Sequence, residues 1–163
     1  MKMRRSDRAR GEAFSLALID RCSHGVMAIS TGDPIPYCLP LSFVRVGRDL
    51  YFHCAHQGRK VDLLQTYPKV CVSFVGQDQP TFLEPAVYTT YFQSAIVTGT
   101  AQEVTDRAEK IQALRALCQK LTPDFMDGGR FDTAIAGSLD ATAVWRISME
   151  EISGKEKARK DEA

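Results

Sequence analysis

The tripeptide Gly58-Arg59-Lys60 stands where a strand-like run gives way to a helical pattern, within YFHCAHQGRKVDLLQTYPKVCVSF from Tyr51 to Phe74. Glycine lets backbone approach a ligand closely. A helix start offers free N–H groups and the positive end of its dipole, which suits an anion. Arg adds a planar fork of donors for phosphate oxygens, and Lys adds a point charge. Together these residue types specify a phosphate site at a strand-to-helix corner, with a sheet face beside it for the rest of the ligand. A bare tripeptide of this kind is common, so a solvated surface turn is the competing reading.

Histidines stand at positions 24, 53 and 56, and cysteines at 22, 38, 54, 71 and 118. Leu50, Phe52 and Cys54 alternate against Tyr51, His53 and Ala55, so His53 lies on the face opposite Phe52. A lone strand histidine serves more often as a hydrogen-bonded filler than as a base. The His spacing suggests no metal site. The odd Cys count and the lack of CxxC spacing argue against a disulfide framework or zinc. Cys54, Cys71 and Cys118 read as small core residues, and the usage fits a reducing cytoplasm.

These candidates need elements to position them. Phe14, Ala17, Leu18 and Arg21 predict a helix over residues 7–23 that closes one end of a sheet. Val26 to Ser30 is a short strand ending at the turn cluster Thr31-Gly32-Asp33-Pro34. Tyr37 to Val46 reads as one strand, with Leu39, Leu41 and Phe43 on one face and Pro40, Ser42 and Val44 on the other. Pro40 marks an edge or bulge, where backbone groups are left free for a ligand. Gly47-Arg48-Asp49 turns the chain into Leu50 to Ala55. Lys60 to Tyr67 makes about two helical turns, ended by Pro68.

Lys69 to Val75 is the next strand, and the polar, proline-bearing segment 76–85 reads as a loop. Val87 to Val104 exceeds ordinary strand length, so a bulge is expected near Gln93-Ser94 or Gly99. Asp106 caps the following helix, with Glu109 completing a capping box. Residues 124–140 read as irregular or a short helix that lines a pocket. Ala141 to Ile152 is the last strand. Tight turns between successive strands argue for an antiparallel, barrel-like sheet.

The chain has 163 residues, 44% hydrophobic and 25% charged, with a formal net charge of +1. That fits one soluble domain over 1–163. No window reaches a membrane span, and the Arg-rich start has no apolar region behind it, so neither a transmembrane segment nor a signal peptide is expected. The near-neutral balance gives no nucleic-acid footprint. Lys155, Lys157, Arg159 and Lys160 place a basic, flexible tail over 154–163.

The segments PYCLPLSFV, LYFHCAHQGRKVDLLQTYPKVCVSF, TTYFQSAIVTGTAQEV and EEISGKE, in this order, resemble the pyridoxamine 5′-phosphate oxidase-like split-barrel flavoproteins. The nitroimidazole resistance branch is the closer likeness, through its YFH, TTYF-x-S and TGKE segments. The resemblance spans roughly residues 3–157. It implies a six-stranded antiparallel split β-barrel with flanking helices, a homodimer, and FMN at the dimer interface. By the same matching, Arg59 and Lys60 hold the FMN phosphate. Leu39, Pro40, Leu41, Ser42, Phe43 and Val44 run past the isoalloxazine ring and offer backbone hydrogen bonds. His53 and Cys54 lie near the ribityl chain or phosphate, and Gln93 and Ser94 form a polar pair on the cofactor. His53 is the candidate for a substrate-side catalytic role.

The segment LPLSFV lacks the basic side chains that the oxidases carry there, and their substrate-phosphate residues have no counterpart, which argues against pyridoxamine phosphate oxidation. The implied activity is an FMN-dependent oxidoreductase acting on a small planar acceptor such as a nitroaromatic; the sequence does not fix the electron donor, for which a nicotinamide reductant is one candidate. The alternatives are a non-catalytic flavin- or haem-binding protein of the same fold, with His24, His53 or His56 as axial ligand, and a deazaflavin-dependent reductase.

Overall fold

Residues 3–159 are described in a computed structural model. The strands in chain order are β1 (Ala9–Arg10), β2 (Gly25–Ile29), β3 (Tyr37–Leu41), β4 (Val44–Val46), β5 (Asp49–Cys54), β6 (Lys69–Leu83), β7 (Val87–Glu103) and β8 (Ala143–Lys157). The helices are α1 (Glu12–Arg21), α2 (Arg59–Thr66), α3 (Arg107–Leu121) and α4 (Arg130–Ser138). Every strand pairing is antiparallel. The sheet order is β3-β2-β6-β7-β8-β5-β4, with β1 pairing β8 off this path.

β3 and β4 are the two ends of that path, yet only Ser42 and Phe43 separate them in sequence. Two residues span less than about 11 Å, so the sheet must curl until its edges nearly meet. The result is a barrel split at one seam, as expected. The six expected strands become eight because the run 37–46 breaks at Ser42-Phe43 and because two residues of β1 join the sheet.

Strand alternation sends one set of side chains inward. Met27, Val72, Val97, Phe52 and Ile147 are fully buried there. Phe43 occupies the seam, its ring meeting Phe52 and Phe74 edge-on at 5.7 Å each. Leu18 and Ile19 of α1 are buried in this core, so the helix does cover one end. A second core forms where α3 and α4 cover the outer side of β4, β5 and β8, burying Tyr51, Val144, Leu114, Leu117 and Phe131.

Several boundaries differ from the sequence reading. The first helix runs Glu12–Arg21 rather than 7–23, because Gly11 caps its start instead of lying inside it. The segment 76–85 is strand through Leu83, paired with β7 as far as Val87, so β6 and β7 project as a long hairpin. Polar composition suggested a loop, but pairing with an uninterrupted neighbour overrides it. The β7–β8 register shifts at Thr98/Gly99, one of the expected places, though the extra residue is Glu150 of β8, and the β6–β7 register shifts between Val75 and Asp78. Gly99 is needed at that slip, since a Cβ there would meet the Ser148 carbonyl at 2.3 Å.

Asp106 does cap α3 through the Glu109 amide, at 2.7 Å. The Glu109 side chain completes no box and instead accepts hydrogen bonds from Tyr51 (2.9 Å) and Arg146 (3.0 Å). Residues 130–138 form α4, whose Phe131 joins the second core. The segment expected to be a flexible tail is strand through Lys157, with Gly154 and Lys155 held between β7 and β1. Residues 160–163 of that tail lie outside the described residues.

Candidate functional site

The corner proposed from Gly58-Arg59-Lys60 is a real strand-to-helix junction. Gly58 has φ 121°, which side-chain-bearing residues rarely adopt, and it is the N-cap of α2. No side chain caps this start. Val61 and Asp62 donate to the Gly58 carbonyl, leaving the Arg59 and Lys60 amides ahead of the first intrahelical bond.

The two cations are fixed by different neighbours. The Arg59 guanidinium lies 4.8 Å from the Tyr37 ring centroid, on the edge strand β3. Lys60 Nζ lies 5.6 Å from the Phe52 ring on β5, and its charge acts on the Cys54 thiol two residues along that strand. Burial raises the Cys54 pKa, with Lys60 opposing it. His53 keeps an exposed face, yet partial burial and then the Lys60 charge hold its pKa below the ordinary value. His53, Cys54, Arg59 and Lys60 are therefore one cluster. His56 stands apart, with Nε2 3.0 Å from the Asp140 carbonyl and Nδ1 3.6 Å from Glu103.

The segment from Leu39 to Val44 divides. Leu39 and Leu41 pack on the inner core, while Pro40 and Ser42 are exposed outward. Pro40 sits on an edge strand opposite Val26, as its missing N–H requires. Phe43 and Val44 are buried in the two different cores. The Phe43 carbonyl is not free for a ligand: Lys120 donates to it at 2.9 Å and to the Ile19 carbonyl at 3.1 Å. Burial lowers the Lys120 pKa. Cys71, expected in the core, faces outward from β6 and lines an open cleft of about 520 Å³ with Ala28, Pro36 and Thr98. That volume suits a small ring system. The Pro36 end of the cleft adjoins Tyr37.

Gln93 and Ser94 do not join the cluster. Ser94 pairs with Val75 and Lys155. The Arg59 end of the sheet is level with Tyr37, Ile29, Val70 and Gly99, linked by successive strand pairs. From Gly99 to Gln93–Ser94 is five to six residues, roughly 17–20 Å by the rise of a strand. Gln93 is held at both ends of its amide: Nε2 donates to Glu156 at 2.7 Å, and Oε1 accepts from Arg21 at 3.4 Å. Glu156 also accepts from Arg10 of β1 at 2.6 Å.

Sequence reasoning missed Tyr37 and Glu156 as partners of the site residues. Glu156 lies within a quoted motif, but its contact with Gln93 crosses from β8 to β7. Among the described residues no group of three or more His, Cys, Asp or Glu is arranged to hold a metal, and no helix is long and apolar enough to cross a membrane.

The curled antiparallel sheet with its seam, end-capping helix and cationic corner defines a split-barrel protein. The model of the family described as pyridoxamine 5′-phosphate oxidase matches residues 12–156, and the chain belongs to that family. None of the curated proteins matches it. Among solved structures it is similar to a candidate 5-nitroimidazole antibiotic resistance protein of Bacteroides thetaiotaomicron, at 21% identity and TM-score 0.77 over 90% of this chain and 84% of that one. It is also similar to the flavocytochrome Anf3 of Azotobacter vinelandii, at 23% identity and TM-score 0.80 over 97% and 73%. A FAD- and haem-binding protein of Mycobacterium smegmatis matches at 21% identity and TM-score 0.74 over 93% and 76%. These likenesses support the fold.

Proposed function

We propose that the chain binds FMN and acts as an oxidoreductase on a small planar acceptor such as a nitroaromatic, with the flavin held between two copies of the chain. The observation that carries this is the Arg59–Lys60 pair at the uncapped start of α2. Two cations and two amides without an intrahelical partner stand at one helix start, the chemistry that a phosphate monoester needs. The flavin, when bound, would supply the electron chemistry.

The residues of this chain would bind and orient it. Arg59 and Lys60 take the phosphate. The cleft over Ala28, Pro36, Cys71 and Thr98 suits the ring, with Pro40 and Ser42 exposed farther along the same edge. Gln93 and Ser94 lie too far along β7 to touch the same molecule within one chain, so a second copy would contribute them. His53, its pKa held below the ordinary value, offers an imidazole N–H to the acceptor. A nicotinamide is the proposed reductant, and the five free cysteines fit a reducing cytoplasm.

A second reading keeps the cofactor without turnover, since two of the similar proteins carry haem or cytochrome in their names. The visible spectrum of purified protein separates the readings. A flavin spectrum that bleaches with a nicotinamide and returns with a nitroaromatic supports the oxidoreductase. A Soret band supports haem binding. Protein that stays colourless and binds no added FMN overturns the flavin assignment.

A further inference from the structure

At the Gln93 end of the barrel, away from the Arg59 corner, a pocket of about 470 Å³ opens where α1 stops at Arg21. A bulge makes room for it. Gly76 and Gln77 of β6 stand against the single residue Gln93 of β7, and all three line the pocket. Gly76 passes so close beneath α1 that a Cβ there would collide with Leu18 Cδ1.

The inner side of the pocket is apolar. Leu18 and Cys22 are buried, and Val75 adds a flank that is 62% exposed. The rim carries the donors. Arg21 Nη2 reaches Gln93 Oε1 at 3.4 Å, a long bond that leaves most of the guanidinium fork open. His24 Nδ1 lies 3.1 Å from Ser23 Oγ, which leaves Nε2 for another partner. None of the described lining residues is a carboxylate. The carboxylates nearby are engaged: Asp20 accepts from Arg45, and Glu156 accepts from Arg10 and Gln93. Lys120 donates to the Ile19 carbonyl and offsets the negative end of α1. Burial raises the Cys22 pKa, while the Lys120 and Arg21 charges oppose it, so two cations act on this side of the pocket.

We propose that this pocket seats a small aryl carboxylate, its ring against Leu18, Cys22 and Val75 and its carboxylate on Arg21 with His24 beside it. Apolar walls with a few convergent polar groups are what a site for a small ring compound requires, and an open Arg fork matches a carboxylate in two parallel bonds. A bare inorganic anion is a poorer occupant, because it leaves the apolar side uncovered. The pocket shares Gln93 with the flavin site proposed above. Its consequence for turnover rests on that reading: nitroaromatic acids become the preferred acceptors.

The test is NMR titration of the His24 and His53 ring signals in the full chain with benzoate, benzamide and inorganic phosphate. Wild type is compared with Arg21→Gln and Arg21→Lys, each confirmed as folded by far-UV circular dichroism. Benzoate is expected to shift His24, with benzamide and phosphate weaker there by about tenfold or more. Arg21→Gln keeps a donor for Gln93 and should weaken benzoate about tenfold or more. Arg21→Lys should recover part, since it restores the charge without the fork. Saturating FMN should not displace benzoate. In the flavin-loaded protein, 4-nitrobenzoate should have a higher kcat/KM than nitrobenzene, and Arg21→Gln should erase the difference. A His24 signal indifferent to millimolar benzoate overturns the seat, as does an equal response to benzamide or phosphate, or wild-type affinity in Arg21→Gln. If FMN still binds in those cases, the flavin reading stands without the seat. Benzoate held at His24 by a chain that takes up no FMN keeps the seat and overturns the flavin reading.

Discussion

Arg59 is stacked on Tyr37, its guanidinium carbon 4.8 Å from the ring centroid. The cation thereby bridges α2 to the edge strand β3, and a contact with a ring face consumes none of its N–H donors. A phosphate at the start of α2 would meet a preformed fork. Arg59→Ala with Lys60→Ala is expected to weaken FMN binding by roughly 10²–10⁴-fold, since each charge-assisted bond contributes about 1.5–3 kcal/mol. Tyr37→Leu should cost a few-fold, because it frees the guanidinium without removing it. Fluorescence titration of FMN measures both, and wild-type affinity in the double variant would move the phosphate elsewhere.

His53 provides an independent reading of the same corner. Partial burial, and secondarily Lys60, lower its pKa. Lys60→Met should raise it, though short of the ordinary 6.5, because the larger cause remains. A phosphate dianion beside Lys60 should also raise it, by offsetting the positive charge. NMR titration of the three His ring signals with and without FMN or inorganic phosphate checks this. A His53 signal indifferent to both would place the anion away from Lys60.

How far the chain was legible differs by feature. Local rules located the corner at Gly58, because a positive φ and an open helix start depend on adjacent residues. Pro40 announced an edge strand for the same reason, since its missing N–H excludes a central place. The β6 extension was not legible: Gln77, Gln79 and Pro80 look like loop, and only pairing with β7 makes them strand. The Glu156–Gln93 and Tyr51–Glu109 contacts join residues 63 and 58 positions apart. No periodicity encodes such a pair. The separation of Gln93 from Arg59 is likewise a matter of sheet order.

Tyr51 makes a prediction about alkaline stability. Burial, and then the hydrogen bond to Glu109, push its pKa from 10.0 to about 12. The folded state therefore favours the neutral phenol. The sign follows: this contribution is intact below pH 10, where the unfolded tyrosine begins to ionise, and it is lost as pH rises through 12. Tyr51→Phe removes the window and one hydrogen bond to a carboxylate, at a cost of about 1.5–3 kcal/mol near neutrality. Urea unfolding from neutral to alkaline pH should show wild type and variant converging above pH 10. Parallel curves would contradict the assignment.

The last prediction concerns Glu156, whose side chain is 14% exposed between Arg10 and Gln93. Burial alone would raise its pKa, but the hydrogen bonds from Arg10 and Gln93 outweigh it and the net shift is downward from 4.5. A depressed carboxylate stabilises the fold above its unfolded pKa, and that stability is lost as pH falls through the folded value. Glu156→Gln offers one acceptor where two donors converge. It should cost about 1.5–3 kcal/mol at neutral pH, with the difference from wild type narrowing below pH 4.5. Since Glu156 fixes the Gln93 amide, the variant should also weaken FMN binding, and Glu156→Asp should recover part of it. Urea melts at several pH values, read beside FMN titrations, separate the two effects. A loss of stability with unchanged flavin affinity would leave Glu156 as a clasp for β1 alone and would remove Gln93 from the proposed site.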